Sequence, residues 1–302
     1  MRHSAWILVL LIGFLAGRVD AGTVDPGGQV RYCDEDDCES PGPFAAQWIA
    51  ERRTAQGGAF VGGLLDLLDE SERQVFRAVV DIEYDTIESD PGYQALPNLL
   101  LVESEPGHSR YVVSLPPGQG EVPGVVFLHG FGGLMAPYVR ALADSEVGRR
   151  CAILAPILDN QGHWWEDGLD LVEDVIINHL PPRVDPDRLY LVGLSNGAVG
   201  ATLLGLGDPV GSRFRGLALV SGIGPMPESP SCGTDLLVIH GLRDGRFLPW
   251  DISDGVVAMR GLGSRVRQET LDGDHFLILA DRIEAIAILA EWIGQIEGEV
   301  QR

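Results

Sequence analysis

The sequence predicts an α/β protein with a mostly parallel central sheet and helices on both faces. Five short apolar runs end in small or polar residues: GVVFLHG, CAILAPI, LYLVGLS, GLALVSG and DLLVIHG. Helical segments such as GLDLVEDVIINHL and GAVGATLLGL lie between several of them, and a final strand, RVRQETL, follows. Continuous apolar strands that alternate with helices are typical of a parallel sheet buried on both faces.

The region before this sheet divides into three predicted parts. Residues 22–43 are rich in Gly, Pro and acidic residues and predict an extended tail. Apolar residues at helical spacing follow from Phe44 to about Asp90. LLLVES and RYVVSL, separated by EPGHS, then predict an antiparallel hairpin. We therefore divide the chain into residues 1–21, an acidic tail with a helical extension at 22–95, and a main domain at 96–302.

The first 21 residues resemble a secretory signal peptide. Arg2 and His3 precede an apolar run from Ala5 to Ala16, and small residues follow it. The run is too short to span a bilayer comfortably but fits the apolar core of a signal. We expect cleavage after Ala16 or Ala21 and a secreted or periplasmic protein without a stable membrane partner. An uncleaved N-terminal membrane anchor is the alternative.

The formal charge is strongly negative. The net charge is −22, and all 22 basic residues are arginine. Such a surface repels nucleic-acid phosphates and anionic membranes, so we expect no nucleic-acid partner. Adaptation to high salt would explain the acidic charge, and a codon bias towards arginine is the alternative explanation of the missing lysine.

Export makes the four cysteines candidates for disulfides. Cys33 and Cys38 flank an acidic segment, and their spacing permits a small disulfide-closed loop. A calcium or zinc site there is the alternative. The segment lacks the alternating ligands and central glycine of a calcium loop, and no second Cys or His pair accompanies it. We therefore favour the disulfide and predict no metal.

Ser195, in GLSNG, is the candidate nucleophile. Gly-x-Ser-x-Gly means little by itself in a chain with 39 glycines. Here, however, the serine ends a predicted buried strand and begins a predicted helix, which is the setting of an exposed, strained nucleophile. Gly193 and Gly197 lack the β-carbons that would crowd such a turn.

A serine hydroxyl needs a base, and the base needs an orienting group. Asp244 follows the strand DLLVIHG, and His275 follows the last strand, so the order is Ser, acid, His. Asp272 and Asp274 are rival acids, but their proximity to His275 in sequence favours surface turns. The oxyanion donors are predicted to be the backbone N–H groups of Phe131, in HGFGG, and Asn196.

Gly132 is the alternative donor if the turn is shifted by one residue. His129, which opens the same HGFGG segment, is predicted to brace the loop rather than to perform chemistry.

These motifs resemble the α/β-hydrolase superfamily from about Leu99 to the C-terminus. RYVVSLPPG, HGFGG, GHWWEDG and VDPDRLYLVGLSNGA are similar to secreted esterases of the polyhydroxyalkanoate-depolymerase and feruloyl-esterase type. The resemblance implies a serine carboxylesterase that needs no cofactor, with Ser195, Asp244 and His275 as its triad. The chain departs at Ala198, where the family usually has a second glycine, and we expect no extra polymer-binding domains.

The substrate is predicted to be a small-molecule or polymeric ester. About a dozen residues separate LALVSG from DLLVIHG, which leaves no room for a large cap and predicts an open site. Trp164 and Trp165, in the loop after CAILAPI, are candidate pocket walls, with surface plugging as the alternative. Trp250 is a weaker candidate.

The strand order that the superfamily implies separates Cys151 and Cys232. Their strands lie about four positions apart, roughly 19 Å. Disulfides need α-carbons within about 7 Å, so we expect Cys151 to be free.

Two competing functions share these residues. The same triad serves acyltransferases and peptidases, and an α/β-hydrolase fold without catalysis serves binding. The sequence does not decide the oligomeric state.

Overall fold

A computed structural model describes residues 31–33, 70, 111–130, 136–156, 158, 163–165, 168–207, 209–231, 233–280 and 282–300. The predicted signal peptide, most of the N-terminal extension and the predicted strand LLLVES lie outside the described residues.

Within this part of the chain, eight strands form one sheet in the order β1-β2-β4-β3-β5-β6-β7-β8. The pairs β1–β2 and β2–β4 are antiparallel, and every pair from β4 to β8 is parallel. The predicted mostly parallel sheet is therefore confirmed. The strands are β1 Arg31–Cys33, β2 Tyr111–Ser114, β3 Val122–Leu128, β4 Ala152–Pro156, β5 Val184–Leu194, β6 Phe214–Val220, β7 Asp235–Gly241 and β8 Arg265–Leu271.

Helices cover both faces of the sheet. Because successive strand residues point to opposite faces, each strand contributes side chains to two separate cores. In β3, Val125 and Phe127 pack in one core with α1, α2, α6 and α7, while Val126 and Leu128 pack in a second core with α3, α4 and α5. The helices are α1 Ala136–Ala143, α2 Glu146–Arg150, α3 Gly168–Asn178, α4 Asn196–Gly207, α5 Pro249–Gly261, α6 Leu277–Ala280 and α7 Arg282–Val300, with a 3₁₀ helix at Pro209–Arg213.

The carboxyl ends of the parallel strands meet at one edge of the sheet, where sites form in folds of this class. His129 follows β3, Ser195 follows β5, and Asp244 and His275 lie in the loops after β7 and β8. No helix or strand occurs at 223–231 or 233–234, between β6 and β7. This connection matches the predicted absence of a cap there.

The edge strand β1 is a feature that the sequence did not predict. Residues 31–33 pair with β2, with Cys33 opposite Tyr111, whereas an extended tail was expected there. Three residues are too few to show an alternating pattern, so only the pairing with β2 identifies the strand. Cys38 lies outside the described residues, and the predicted disulfide stays a prediction.

Cys151 is buried and carries a free thiol, as expected. It directly precedes β4, and β7 lies four positions away in the strand order. Cys232 lies outside the described residues. None of the helices described in the structure is long and apolar enough to cross a membrane.

Candidate active site

Ser195 lies on a sharp turn between β5 and α4. Its backbone has φ +54°, in the left-handed region that L-residues other than glycine rarely adopt. A β-carbon on Gly193 would lie 2.2 Å from Gly197 O, and one on Gly197 would lie 2.0 Å from Leu128 O. Both glycines are therefore required by close backbone contact, and strain at such a position often marks function.

Three side chains from three loops form one hydrogen-bonded chain. Ser195 Oγ lies 2.9 Å from His275 Nε2, and His275 Nδ1 lies 2.9 Å from Asp244 Oδ2. Because the ionised Asp244 only accepts, Nδ1 carries the proton and donates, which leaves Nε2 free to accept from the Ser195 hydroxyl. The structure thus brings together the three residues that the sequence placed in order along the chain.

The Asp244 carboxylate is held in place and kept ionised. Its Oδ1 accepts hydrogen bonds from the backbone N–H groups of Arg246, at 2.8 Å, and Phe247, at 3.0 Å. Burial raises the pKa of Asp244, but the hydrogen bond and charge of His275 and these two N–H groups outweigh burial and lower the pKa below its ordinary value. A negative charge therefore faces His275 Nδ1.

The two rival acids, Asp272 and Asp274, have other interactions in the structure. Asp272 is exposed and forms an ion pair with Arg243. Asp274 Oδ1 accepts from the backbone N–H of Phe276 at 2.9 Å. Asp244 is the hydrogen-bond partner of His275 Nδ1.

Phe247 was missed by the sequence analysis. Its ring lies nearly parallel to the His275 imidazole, with centroids 6.0 Å apart and 11° between the planes. The Phe276 ring meets the same imidazole edge-on at 5.6 Å. These contacts leave His275 only 7% exposed. The proximity of Phe247 to Asp244 in sequence was the one available signal.

His129 braces the loop that follows β3. Leu158 N–H donates to its Nε2 at 3.1 Å, so the ring is neutral and its Nδ1–H donates to Gly130 O at 2.8 Å. Burial lowers the pKa of His129 to about 4, although its backbone hydrogen bonds act in the opposite direction. A β-carbon on Gly130 would lie 3.5 Å from Ser195 Cβ, so the braced loop borders the nucleophile.

The predicted oxyanion donors are only partly described. Asn196 begins α4 directly after Ser195, so it lies at the positive end of the helix dipole. Phe131 and Gly132 lie outside the described residues, and their assignment stays a prediction.

The two tryptophans are placed differently. Trp164 is fully buried, its Nε1–H donates to His129 O at 2.9 Å, and its ring is in edge contact with the His129 ring at 5.0 Å. This placement favours a packing role over the predicted substrate contact. Trp165 is half-buried and stacks on His163 at 4.4 Å. The Trp250 side chain is 62% exposed at the start of α5.

Among the residues that the structure describes, no group of three or more His, Cys, Asp or Glu residues could hold a metal ion.

Comparison with known proteins identifies the fold. No protein-family model and no curated protein matches the sequence. A hyperthermophilic esterase from Pyrobaculum calidifontis is 15% identical with a TM-score of 0.53, and the match covers 78% of this chain and 97% of the esterase. A thermophilic esterase from Thermogutta terrifontis is also 15% identical, with a TM-score of 0.52 and coverage of 62% and 88%.

A putative dienelactone hydrolase from Klebsiella pneumoniae is 17% identical with a TM-score of 0.50, covering 65% of this chain and 97% of its own. Together with the strand order and the turn at Ser195, these likenesses show that the chain has the α/β-hydrolase fold, as its sequence predicted.

Proposed function

We propose that this protein is a serine hydrolase that cleaves carboxylic esters through an acyl-enzyme. The observation that carries the proposal is the chain of two 2.9 Å contacts joining Ser195 Oγ, His275 and Asp244 at a strained turn. A nucleophile, a base and an orienting acid in hydrogen-bond contact are the requirement for acyl transfer.

In the acylation step, Ser195 Oγ attacks the ester carbonyl carbon while His275 Nε2 takes the hydroxyl proton. The tetrahedral intermediate collapses when His275 gives this proton to the departing alcohol oxygen, and the C–O bond of the ester breaks. Asp244 stabilises the imidazolium that exists between these transfers, which its lowered pKa supports.

In the deacylation step, water takes the place of the alcohol. His275 accepts a proton from water, the resulting oxygen nucleophile attacks the acyl carbon, and the proton returns to Ser195 Oγ as the acid departs. The backbone N–H groups of Asn196 and Phe131, with Gly132 as the alternative to Phe131, are proposed to stabilise the oxyanion in both steps.

The substrate class rests on resemblance. The motifs RYVVSLPPG, HGFGG and GHWWEDG resemble those of the polyhydroxyalkanoate-depolymerase and feruloyl-esterase types, and the structural neighbours named above include two esterases. We propose small-molecule or polymeric carboxylic esters as substrates. Of the two tryptophans predicted to line the pocket, we propose that Trp165 contacts the substrate. Its half-buried ring supports this choice over the fully buried Trp164.

A fluorophosphonate probe tests the nucleophile. We expect wild-type protein to be labelled once, and folded Ser195→Ala protein to remain unlabelled. Absence of labelling in folded wild-type protein, or equal labelling of the variant, would contradict the proposal.

A substrate panel tests the reaction class. Aryl and alkyl esters of graded acyl length, a hydroxyalkanoate oligomer and a methyl ferulate are compared with matched amides, with and without added alcohol acceptors. We expect ester hydrolysis to exceed amide cleavage and transfer to alcohol. Preferred amide cleavage indicates a peptidase, and preferred transfer an acyltransferase.

We also propose that the protein is exported. The charged start, the short apolar run and the small residues before residue 22 support this destination. N-terminal sequencing of protein from the medium or periplasm is expected to start at residue 17 or 22. Recovery of uncleaved chain from membranes would favour the anchor instead.

A further inference from the structure

Two neighbouring residues at the candidate active site share an uncommon backbone conformation. Ser195 and Ser221 are the non-glycine residues with positive φ among those that the structure describes, at +54° and +49°. They follow Leu194 and Val220, which are register partners in β5 and β6. Ser221 therefore lies beside Ser195 on the adjacent strand.

Ser221 combines two energetically unfavourable features. Its left-handed backbone is disfavoured for serine, and its fully buried Oγ has no hydrogen-bond partner. A glycine at this position would avoid both. Strain that persists at a site is commonly retained for a functional geometry.

The turn that Ser221 begins runs against the backbone of the nucleophile. Ser195 N–H donates to Val220 O at 2.9 Å, and Ser221 N–H donates to Ile239 O at 2.9 Å, so both strand ends are fixed. Gly222 then passes so close to the elbow that a β-carbon there would lie 2.8 Å from Ser195 O and 3.2 Å from Ser195 Cα.

One hydroxyl ties the far end of this turn to helix α4. Thr202 Oγ1 donates to Ala198 O at 2.8 Å and accepts from Gly224 N–H at 3.0 Å. Thr202 is fully buried on α4, and a β-carbon on Gly224 would lie 3.0 Å from Thr202 Cβ. Hydrogen bonds therefore hold both ends of the turn, at Ser221 and Gly224, while Gly222 lies against Ser195.

We propose that the turn 221–224, tied to α4 by Thr202, holds Ser195 in its left-handed conformation and its Oγ on His275. Thr202 and Ser221 are positioning residues in this account, since they act through the backbone and not on the substrate. The proposal rests on Ser195 being the nucleophile.

Thr202→Val and Thr202→Ser test the hydrogen bond between Gly224 N–H and Thr202 Oγ1. Valine keeps the size but leaves Gly224 N–H without its acceptor, whereas serine keeps the hydroxyl. We expect kcat and the rate of fluorophosphonate labelling to fall about tenfold or more in Thr202→Val with KM nearly unchanged, because small misplacement of a nucleophile is costly. Thr202→Ser restores both. Wild-type kcat in folded Thr202→Val protein overturns the proposal.

Ser221→Gly and Ser221→Ala form a second test that does not depend on a destabilising variant. Glycine relieves the strain but fixes the turn less firmly, so we expect a melting temperature at or above that of the wild type together with a lower kcat. Alanine keeps the backbone constraint and loses only the hydroxyl, so kcat is expected to stay near the wild-type value. Unchanged kcat in Ser221→Gly, or equal losses in both variants, overturns the proposal.

The wild-type control separates the two proposals. Labelling and ester hydrolysis by wild-type protein establish Ser195 as the nucleophile before any variant is compared. A failure there contradicts the proposed function, whereas a labelled wild type with insensitive Thr202 and Ser221 variants contradicts the positioning role alone.

Discussion

His129 gives a quantitative prediction for stability against pH. The folded protein holds its imidazole neutral, with a pKa of about 4, against about 6.5 for an unperturbed histidine. Burial opposes protonation, and protonation of Nε2 would also remove the acceptor of Leu158 N–H. The unfolded chain therefore binds a proton more readily than the folded one below pH 6.5, and stability falls as the pH is lowered towards 4.

The magnitude follows from the two pKa values. Lowering the pH from 7.5 to 5 is expected to remove about 2 kcal/mol of stability through His129 alone, rising to about 3 kcal/mol below pH 4. His240 contributes in the same direction, because burial lowers its pKa below the ordinary histidine value. The effect of His129 must therefore be measured as a difference.

The assay compares wild type with His129→Gln by urea unfolding at pH 7.5, 6.0 and 5.0 at constant ionic strength. Glutamine stays neutral throughout, so the contributions of other groups cancel. We expect the variant to be clearly less stable at pH 7.5 and the gap to narrow by about 2 kcal/mol at pH 5. A gap that is constant across this range would contradict the assignment of His129 as a buried, neutral imidazole that braces the loop.

Substitutions at and around the candidate site test the remaining assignments. Asp244→Asn should lower kcat by about 10⁴-fold with KM little changed, because an amide does not stabilise the imidazolium; a loss below tenfold in steady-state kinetics would contradict the assigned role. Gly197→Ala should destabilise the folded protein by about 3 kcal/mol or more in thermal unfolding, since the new β-carbon would lie 2.0 Å from a backbone oxygen. Gly261→Ala is the matched control and should be nearly neutral, because a β-carbon there has no neighbour within 4 Å. Trp164→Ala should lower the free energy of unfolding by about 3–5 kcal/mol. Trp165→Ala should instead alter kcat/KM across an ester panel. A stability loss only in Trp165→Ala with altered kcat/KM only in Trp164→Ala would contradict these assignments.

Sequence order explains why much of the fold and candidate site was predictable. Apolar strands ending in polar residues predict a parallel sheet, and such a sheet gathers its carboxyl ends at one edge. Ser195, Asp244 and His275 were therefore expected at the same edge of the sheet. Their hydrogen bonds depend on loop conformation, which the pattern does not specify.

Other features depend on contacts between distant segments. Trp164 and Trp165 are indistinguishable in sequence, and it is packing against His129, Gly168 and Gly200 that buries Trp164 fully. Ser221 has no local signal for its positive φ, which arises where β6 ends beside α4. The strand at 31–33 is recognised only through β2.

The edges of the sheet have a consequence for self-association. An open edge presents unpaired N–H and C=O groups to other chains, and proteins limit this hazard with short or charged edge strands. β1 is three residues long, and β8, at the opposite edge, carries Arg265, Arg267 and Glu269 on alternate positions. A chain shortened to residues 96–302 would lose β1 and expose the four-residue β2 instead, and so would offer aggregating neighbours a longer template of uncharged residues.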